Sequence, residues 1–265
     1  MPCLDRMTRL DMTKFENPAE RLLHIIEEGK KHAGGRVNKS VWMDLLNVPD
    51  DHEPILLSRI GKTMALIGEI SEALTSLDDI NPDRYLGWVP TISAAFSEQN
   101  LNGHWITFIG KINDHTINYL SNTADILGSQ GFNKSFDINE IQNISESIAE
   151  IITEIKSSDL PENVKVYMVS KLREILLAID EYQITGAGPI IQVVESVFGH
   201  MVLNQEFRDC SKENPAASKF WDVMGKIVLV TTFVIGGLQI PNEVKKYLPA
   251  PVKETVVVEE TKVDQ

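Results

Sequence analysis

The sequence predicts an all-α fold: a multi-helix bundle or array of about eight or nine helices with a C-terminal hydrophobic helix. Three observations carry the expectation. Ile138, Ile141, Ile144, Ile148, Ile151, Ile152 and Ile155 recur every three or four positions, the spacing of one helix face, and this outweighs the β-preference of isoleucine. Proline follows a capping residue at Asn17-Pro18 and Asn81-Pro82 and again within Ser158-Asp159-Leu160-Pro161, as at helix starts. The run Ile227–Ile240, IVLVTTFVIGGLQI, is uncharged between Lys226 and Pro241 and shows no polar face, the pattern of a helix in a deep core or in lipid.

Taken in order, Asn17-Pro18 opens a helix whose stripe is Leu22, Leu23, Ile25 and Ile26, ending at Gly29 or at Gly34-Gly35. Asn38–Asn47 reads as a short helix with Val41, Trp42, Leu45 and Leu46 on one side, and Pro49-Asp50-Asp51 as a turn and cap. Ile55–Leu77 places Ile60, Met64, Ile67, Ile70 and Leu74 near a heptad rhythm, too brief for a coiled-coil seam and therefore core. Asp78-Asp79-Ile80 breaks the chain before a helix from Asn81-Pro82 through Tyr85, Trp88 and Phe96, interrupted by Pro90.

Leu101–Leu127 is apolar on one face, and Gly128–Phe136 is a loop before the isoleucine helix Asp137–Ser157. Pro161–Tyr182 turns Val164, Tyr167, Met168, Leu172, Ile175, Leu176 and Ile179 inward. Gly186-Ala187-Gly188-Pro189 leads to Ile190–Asn204, and a polar stretch containing Pro215 precedes the hydrophobic run. After Pro249 and Pro251 the triplet Val256-Val257-Val258 has strand character, but the charged tail around it reads as disordered. The expected organisation is an N-terminal segment (1–17), a cytoplasmic helical domain (18–210), a hydrophobic helix (215–241) and a charged flexible tail (242–265).

The 265-residue chain carries a formal charge of −13, which argues against bulk nucleic-acid binding, since phosphate neutralisation needs a basic face. One local basic strip stands out: Lys30, Lys31, His32, Arg36 and Lys39, a candidate anionic-ligand site set against the plainer reading of a solvated helix end. Cys3 and Cys210 have no metal-type spacing, and the first residues lack the apolar stretch of a signal peptide, so a reducing cytoplasm is expected, which the resemblance below makes a bacterial one. No cofactor or metal is expected. The histidines are scattered, Gly186-Ala187-Gly188 lacks the third glycine of a dinucleotide loop, and the paired acids Asp50-Asp51 and Asp78-Asp79 suit capping. Glu69 with Glu72 is a minor carboxylate candidate, and Arg173 with Asp180 and Lys171 with Glu174 read as surface ion pairs. Nothing here specifies an enzyme.

The block Leu160-Pro161, Lys171-Leu172-Arg173-Glu174-Ile175 and Ala178 to Gly186, followed by Gly199, Leu203 and Asn204, resembles a group of uncharacterised bacterial all-helical proteins with a Leu-Pro helix start and a Tyr-x-x-x-Gly turn. Trp88-Val89-Pro90 after Asn81 fits the same group, and the resemblance spans much of residues 18–205 on helix-generic motifs. It implies a bacterial origin and, for some members, an anti-phage or toxin-like module in which a sensor carries a membrane-acting C-terminal segment. It transfers no catalytic residue.

The hydrophobic run decides the functional expectation. Alone it is too short to span a bilayer, which takes roughly 20 apolar residues; extended back to Phe220, with Asp222 and Lys226 tolerated, it reaches about that length. Thr232 and Gly236 form a small-x-x-x-small pair, and Phe220, Trp221 and Tyr247 suit the two membrane interfaces. The leading expectation is a non-enzymatic effector that forms a homo-oligomer and acts at the inner membrane as a pore. Lys226 then serves as pore charge, Thr231 and Thr232 as helix contacts, and Gly236 and Gly237 as close-packing positions. The alternatives are a soluble helical scaffold, adaptor or immunity protein with the segment in its own core, or a nucleotide or oligonucleotide sensor using Lys30, Lys31, Arg36 and Lys39.

Overall fold

The computed structural model describes residues 17–49, 52–130, 138–210 and 214–235. Among them lie the helices α1 (Pro18–Lys30), α2 (Asn38–Leu45), α3 (Glu53–Thr75), α4 (Val89–Ser97), α5 (Ile106–Ile109) and α6 (Asp114–Ser129). They continue as α7 (Ile138–Ser157), α8 (Glu162–Asp180), α9 (Tyr182–Thr185), α10 (Gly188–Leu203), α11 (Gln205–Cys210) and α12 (Pro215–Ile235). Among the described residues the sole β feature is an isolated antiparallel bridge, Val37 to His104. The fold is all-α, as the periodicity predicts.

Local chemistry sets most boundaries. Asn17 Oδ1 accepts from the amides of Ala19 (3.1 Å) and Glu20 (3.0 Å), so the Asn-Pro pair starts α1 as expected. The helix ends at Lys30, one residue past Gly29. Gly29 lies buried inside α1, where a β-carbon would meet the Trp105 ring at 2.9 Å, and the Trp105 indole donates to the Gly29 carbonyl (2.8 Å). Asn81-Pro82 opens only a single 3-10 turn (Pro82–Arg84), and the following helix begins at Val89 with Pro90 in its first turn. The apolar face expected over Leu101–Leu127 is broken into α5 and α6, because Asn113 caps a new helix by accepting from Thr116 N at 2.9 Å. In α3 Ile60, Ile70 and Leu74 are buried and Ile67 packs against the core as the heptad-like rhythm predicts, whereas Met64 is exposed and Thr63 takes the buried position beside it. Asp50-Asp51 and most of the Gly128–Phe136 loop lie outside the described residues.

Two cores result. The first joins α1 to α6 around Trp42, which stacks on Phe96 (5.7 Å) and meets Trp105 (5.3 Å) and Phe108 (5.0 Å) edge-on. The second joins α7, α8, α10, α11 and α12, with Ile141, Ile144, Ile148, Ile151 and Ile155 on one seam of α7. The isoleucine helix is thus amphipathic as read, and its seam lies against α8 and α12.

The cores are joined through the Asp180–Gly186 segment. Ile184, at its centre, belongs to the first core although α8 before it belongs to the second. Arg59 of α3 is 2 % exposed and donates through Nη1 to the carbonyls of Leu46 (2.8 Å) and Asn47 (2.9 Å) and through Nη2 to Asp180. Its Nε lies 3.5 Å from Glu181 Oε1, near enough for an ion pair but outside hydrogen-bond geometry. Lys62 pairs with the other Glu181 oxygen, and Gln183 donates to the Leu45 carbonyl (3.1 Å). Arg21 of α1 closes the far side, donating to the Ile184 carbonyl (3.0 Å) and to Glu69 (3.1 Å). The Asp180 expected to pair with Arg173 instead meets Arg59.

Two predictions test this joint. Arg59→Ala leaves the Leu46 and Asn47 carbonyls and Asp180 without their donor and takes away one of the two cations beside Glu181, and is expected to cost about 3 kcal/mol or more, whereas Lys62→Ala, at a partly exposed site, costs about 1 kcal/mol or less. Urea unfolding of both variants measures the contrast. Gly186 has φ +63°, and a β-carbon there would meet Arg21 Nη1 at 2.7 Å; Gly186→Ala is expected to cost about 1–3 kcal/mol, read from the shift in urea midpoint.

Candidate functional site

The hydrophobic helix is the feature on which the functional expectation rests, and α12 shows what surrounds its first two thirds. Asn214 Oδ1 accepts from Ala216 N (2.9 Å) while its amide donates to Asp159 (3.2 Å), fixing the helix start beside the end of α7. Lys219 pairs with Glu154 of α7 one turn further on. From there Ala216, Ala217, Phe220, Trp221, Val223, Met224, Ile227 and Val228 are all buried in the second core, packed on α7 and α10. Ser218, Lys219, Asp222 and Lys226 are exposed and fall at helical spacing along one stripe. Up to Val228 the helix is therefore amphipathic, with a polar stripe that the uncharged run alone did not reveal.

The five residues nominated for a pore fare unequally. Lys226 sits on the exposed stripe. Thr231 and Thr232 lie within α12, and Gly236 and Gly237 lie outside the described residues. Phe220 and Trp221, suited by sequence to a membrane interface, are 0 % and 1 % exposed within the protein. No helix among the described residues is long and apolar enough to cross a membrane.

The cations of the basic strip are each occupied. Lys30 donates to the Ile112 carbonyl, Lys31 pairs with Glu28, and Lys39 pairs with Glu53 at 3.0 Å. Arg36 reaches Asp44 (2.7 Å), Ser40 (2.9 Å) and His32 Nδ1 (2.8 Å). Three carboxylates interleave with these cations, so an incoming anion must displace existing partners. Glu69 likewise serves Arg21, and no group of three His, Cys, Asp or Glu among the described residues is arranged to hold a metal ion.

Sequence reasoning missed two constellations. One is the pair of buried arginines, Arg21 and Arg59. Burial pulls the Arg21 pKa below the ordinary arginine value, and the Glu69 charge acts in the opposite sense. The other is an aromatic shelf at the α8–α10–α11 corner. Tyr167 and His200 stack at 3.9 Å, and Phe207 meets them edge-on at 5.2 and 5.0 Å before touching Trp221 at 5.9 Å. Burial raises the Tyr167 pKa. Burial, then the nearby Lys171 charge, lowers that of His200. Tyr167 was legible as an inward residue of its helix, but the pairing with His200 crosses two helices and has no sequence signal. An open groove of about 380 Å³ between α3, α8 and α10 is lined by Lys62, Glu69, Glu174, Glu181 and Gln192. Its acids at positions 69, 174 and 181 already face Arg21, Lys171 and Lys62.

No family model matches the chain, and neither a curated protein nor a solved structure is detectably similar to it.

A His pKa held below its unfolded value means that the folded state resists protonation. The stability contributed by the His200 stack is fully present above about pH 6.5 and declines as pH falls through the lowered folded value. His200→Phe is expected to flatten this part of the stability profile between about pH 7 and 5, measured by urea unfolding at stepped pH.

Proposed function

We propose that the protein is a non-catalytic helical scaffold or adaptor whose hydrophobic C-terminal helix serves as part of its own core. The observation that carries this reading is the burial of Phe220, Trp221, Val223, Met224, Ile227 and Val228 against α7 and α10. A helix committed to lipid has no reason to match its apolar face to isoleucines of a neighbouring helix and its polar stripe to water. The joint at Arg59 and Arg21 fastens the two cores together and so gives a scaffold a fixed shape to present.

A second reading is favoured by one feature. The chain stays helical to Ile235, and its sequence stays uncharged through Ile240. In that reading α12 leaves the second core on a trigger, and several copies assemble at the inner membrane as a pore, with Lys226 on the conducting side. The buried state is then the stored form of an effector.

One experiment separates the readings. Full-length protein is expected to stay out of the membrane fraction on flotation, and Ile227→Asp to precipitate or unfold, because an unpaired charge in that core is too costly. Flotation of the full-length chain with resistance to carbonate extraction would sink the scaffold reading. An Ile227→Asp variant that stays folded, by circular dichroism and gel filtration, would do the same.

A further inference from the structure

We infer that the outer face of α8 carries a docking groove for the chain's own C-terminal segment Glu254–Glu260. Most of α8 is committed to the second core through Val164, Met168, Leu172, Ile175 and Ile179. Its outer face is not. Val166 and Leu177 are 61 % and 52 % exposed, and they sit eleven positions apart on the same side of the helix with Ser170 and Arg173 between them. A groove of about 580 Å³ runs along this face from Lys156 to Leu177, with the buried Val169 in its floor.

The charge of the groove runs against that of the chain. In a protein of formal charge −13, Lys156, Lys165 and Arg173 line one groove and make no ion pair among the described residues. Neighbouring cations are engaged: Lys171 holds Glu174 at 2.8 Å, and Lys219 holds Glu154. Two acids also line the groove. Glu174 is already neutralised by Lys171 and accepts from Ser170 at 3.2 Å, which leaves Glu162 against three cations. The site thus suits a ligand with several carboxylates flanking an apolar centre.

Residues 254–260 have that composition: Glu254, Thr255, three valines, Glu259 and Glu260. The lengths agree as well. Val166 to Leu177 spans about 16 Å along a helix, and about five residues of extended chain cover the same distance. From Ile235, the last described residue, to Val256 is 256 − 235 = 21 residues, a tether of up to about 70 Å. Occupancy by the tail would cover Val166 and Leu177 and hold the groove closed to other acidic peptides. The inference does not depend on the scaffold reading, since it concerns a different helix face from the one α12 buries.

Hydrogen exchange by mass spectrometry on the full-length chain tests it. Amides of residues 254–260 are expected to exchange roughly tenfold or more slowly than a free peptide of that sequence. The double variant Lys165→Glu/Arg173→Glu should abolish that protection while amides of α8 keep theirs, and adding Glu259→Lys/Glu260→Lys should restore it. A tail that exchanges at the free-peptide rate in the unmodified protein would overturn the inference and leave the groove to a separate acidic partner. Protection that survives the groove variant would place the tail elsewhere and overturn it too. Protection lost on dilution would make the occupant the tail of a second copy, against the intramolecular form proposed.

Discussion

The buried guanidinium of Arg59 is the constraint around which the two halves are arranged. Its Nη groups hold the carbonyls that end α2 on one side and Asp180 at the end of α8 on the other, so one side chain from α3 spans the seam between the cores. A guanidinium suits this role because its planar fork presents several donors in fixed directions and stays charged when buried. Asn47 lies at φ +50°, a left-handed position that asparagine tolerates and that turns its carbonyl toward Arg59. A buried pair of this kind is weak evidence for net stability, since desolvation offsets much of the attraction. What it supplies is placement: it holds the short helix Tyr182–Thr185 where Ile184 enters the first core and Tyr182 the second. Arg21 repeats the arrangement from the opposite side, and Gly186 is a glycine because that guanidinium lies over it.

Fixing the seam has consequences for the C-terminal helix. Once α8 and α10 are oriented, with Gly188-Pro189 starting α10 directly after the joint, α7 and α12 have one apolar trough to complete. The isoleucine seam of α7 forms one wall of it, and α12 fills it with aromatic and aliphatic side chains as far as Val228. The sequence beyond that point remains apolar, whereas the polar stripe of Ser218, Lys219, Asp222 and Lys226 ends with Lys226. The helix therefore changes character along its length. Its first part obeys the pattern of a half-buried surface helix, and the run that follows does not.

Features that depend on neighbours in the chain were legible in the sequence. The all-α class, the cap at Asn17, the α7 seam and the glycine turn before α10 follow from periodicity, proline and glycine placement, whereas the cap at Asn113 that divides the Leu101–Leu127 face does not. Features that depend on contacts between distant positions were not. Arg59 and Arg21 look like ordinary helix-surface basics in a sequence, and only the approach of residues 180–186, more than a hundred positions away, buries them. Gly29 reads as a helix stop, and the helix does end one residue on, but nothing local reports that Trp105 packs against it. Asp180 was assigned to Arg173 by helix spacing, but the end of α8 turns it toward α3. The basic strip was legible as a run of cations and not with its partners: Glu28 pairs locally with Lys31, whereas Asp44 and Glu53 meet Arg36 and Lys39 only through the folded chain.

The distribution of unpaired charge points to where this protein meets other molecules. A chain so acidic has carboxylates to spare, and most of its described cations have one: Arg21, Lys31, Arg36, Lys39, Arg59, Lys62, Lys111, Lys171 and Lys219 all sit in ion pairs. The solvent-exposed ones among these, unlike those of Arg21 and Arg59, add little stability, so their frequency reflects composition more than design. Against that background, cations left together beside exposed aliphatic side chains are informative. Local carboxylates could have neutralised Lys156, Lys165 and Arg173 at no cost, and the apolar residues between them gain nothing from water. Both features would be removed by one act, the arrival of an acidic segment with an apolar centre on the face of α8 opposite the one packed in the second core.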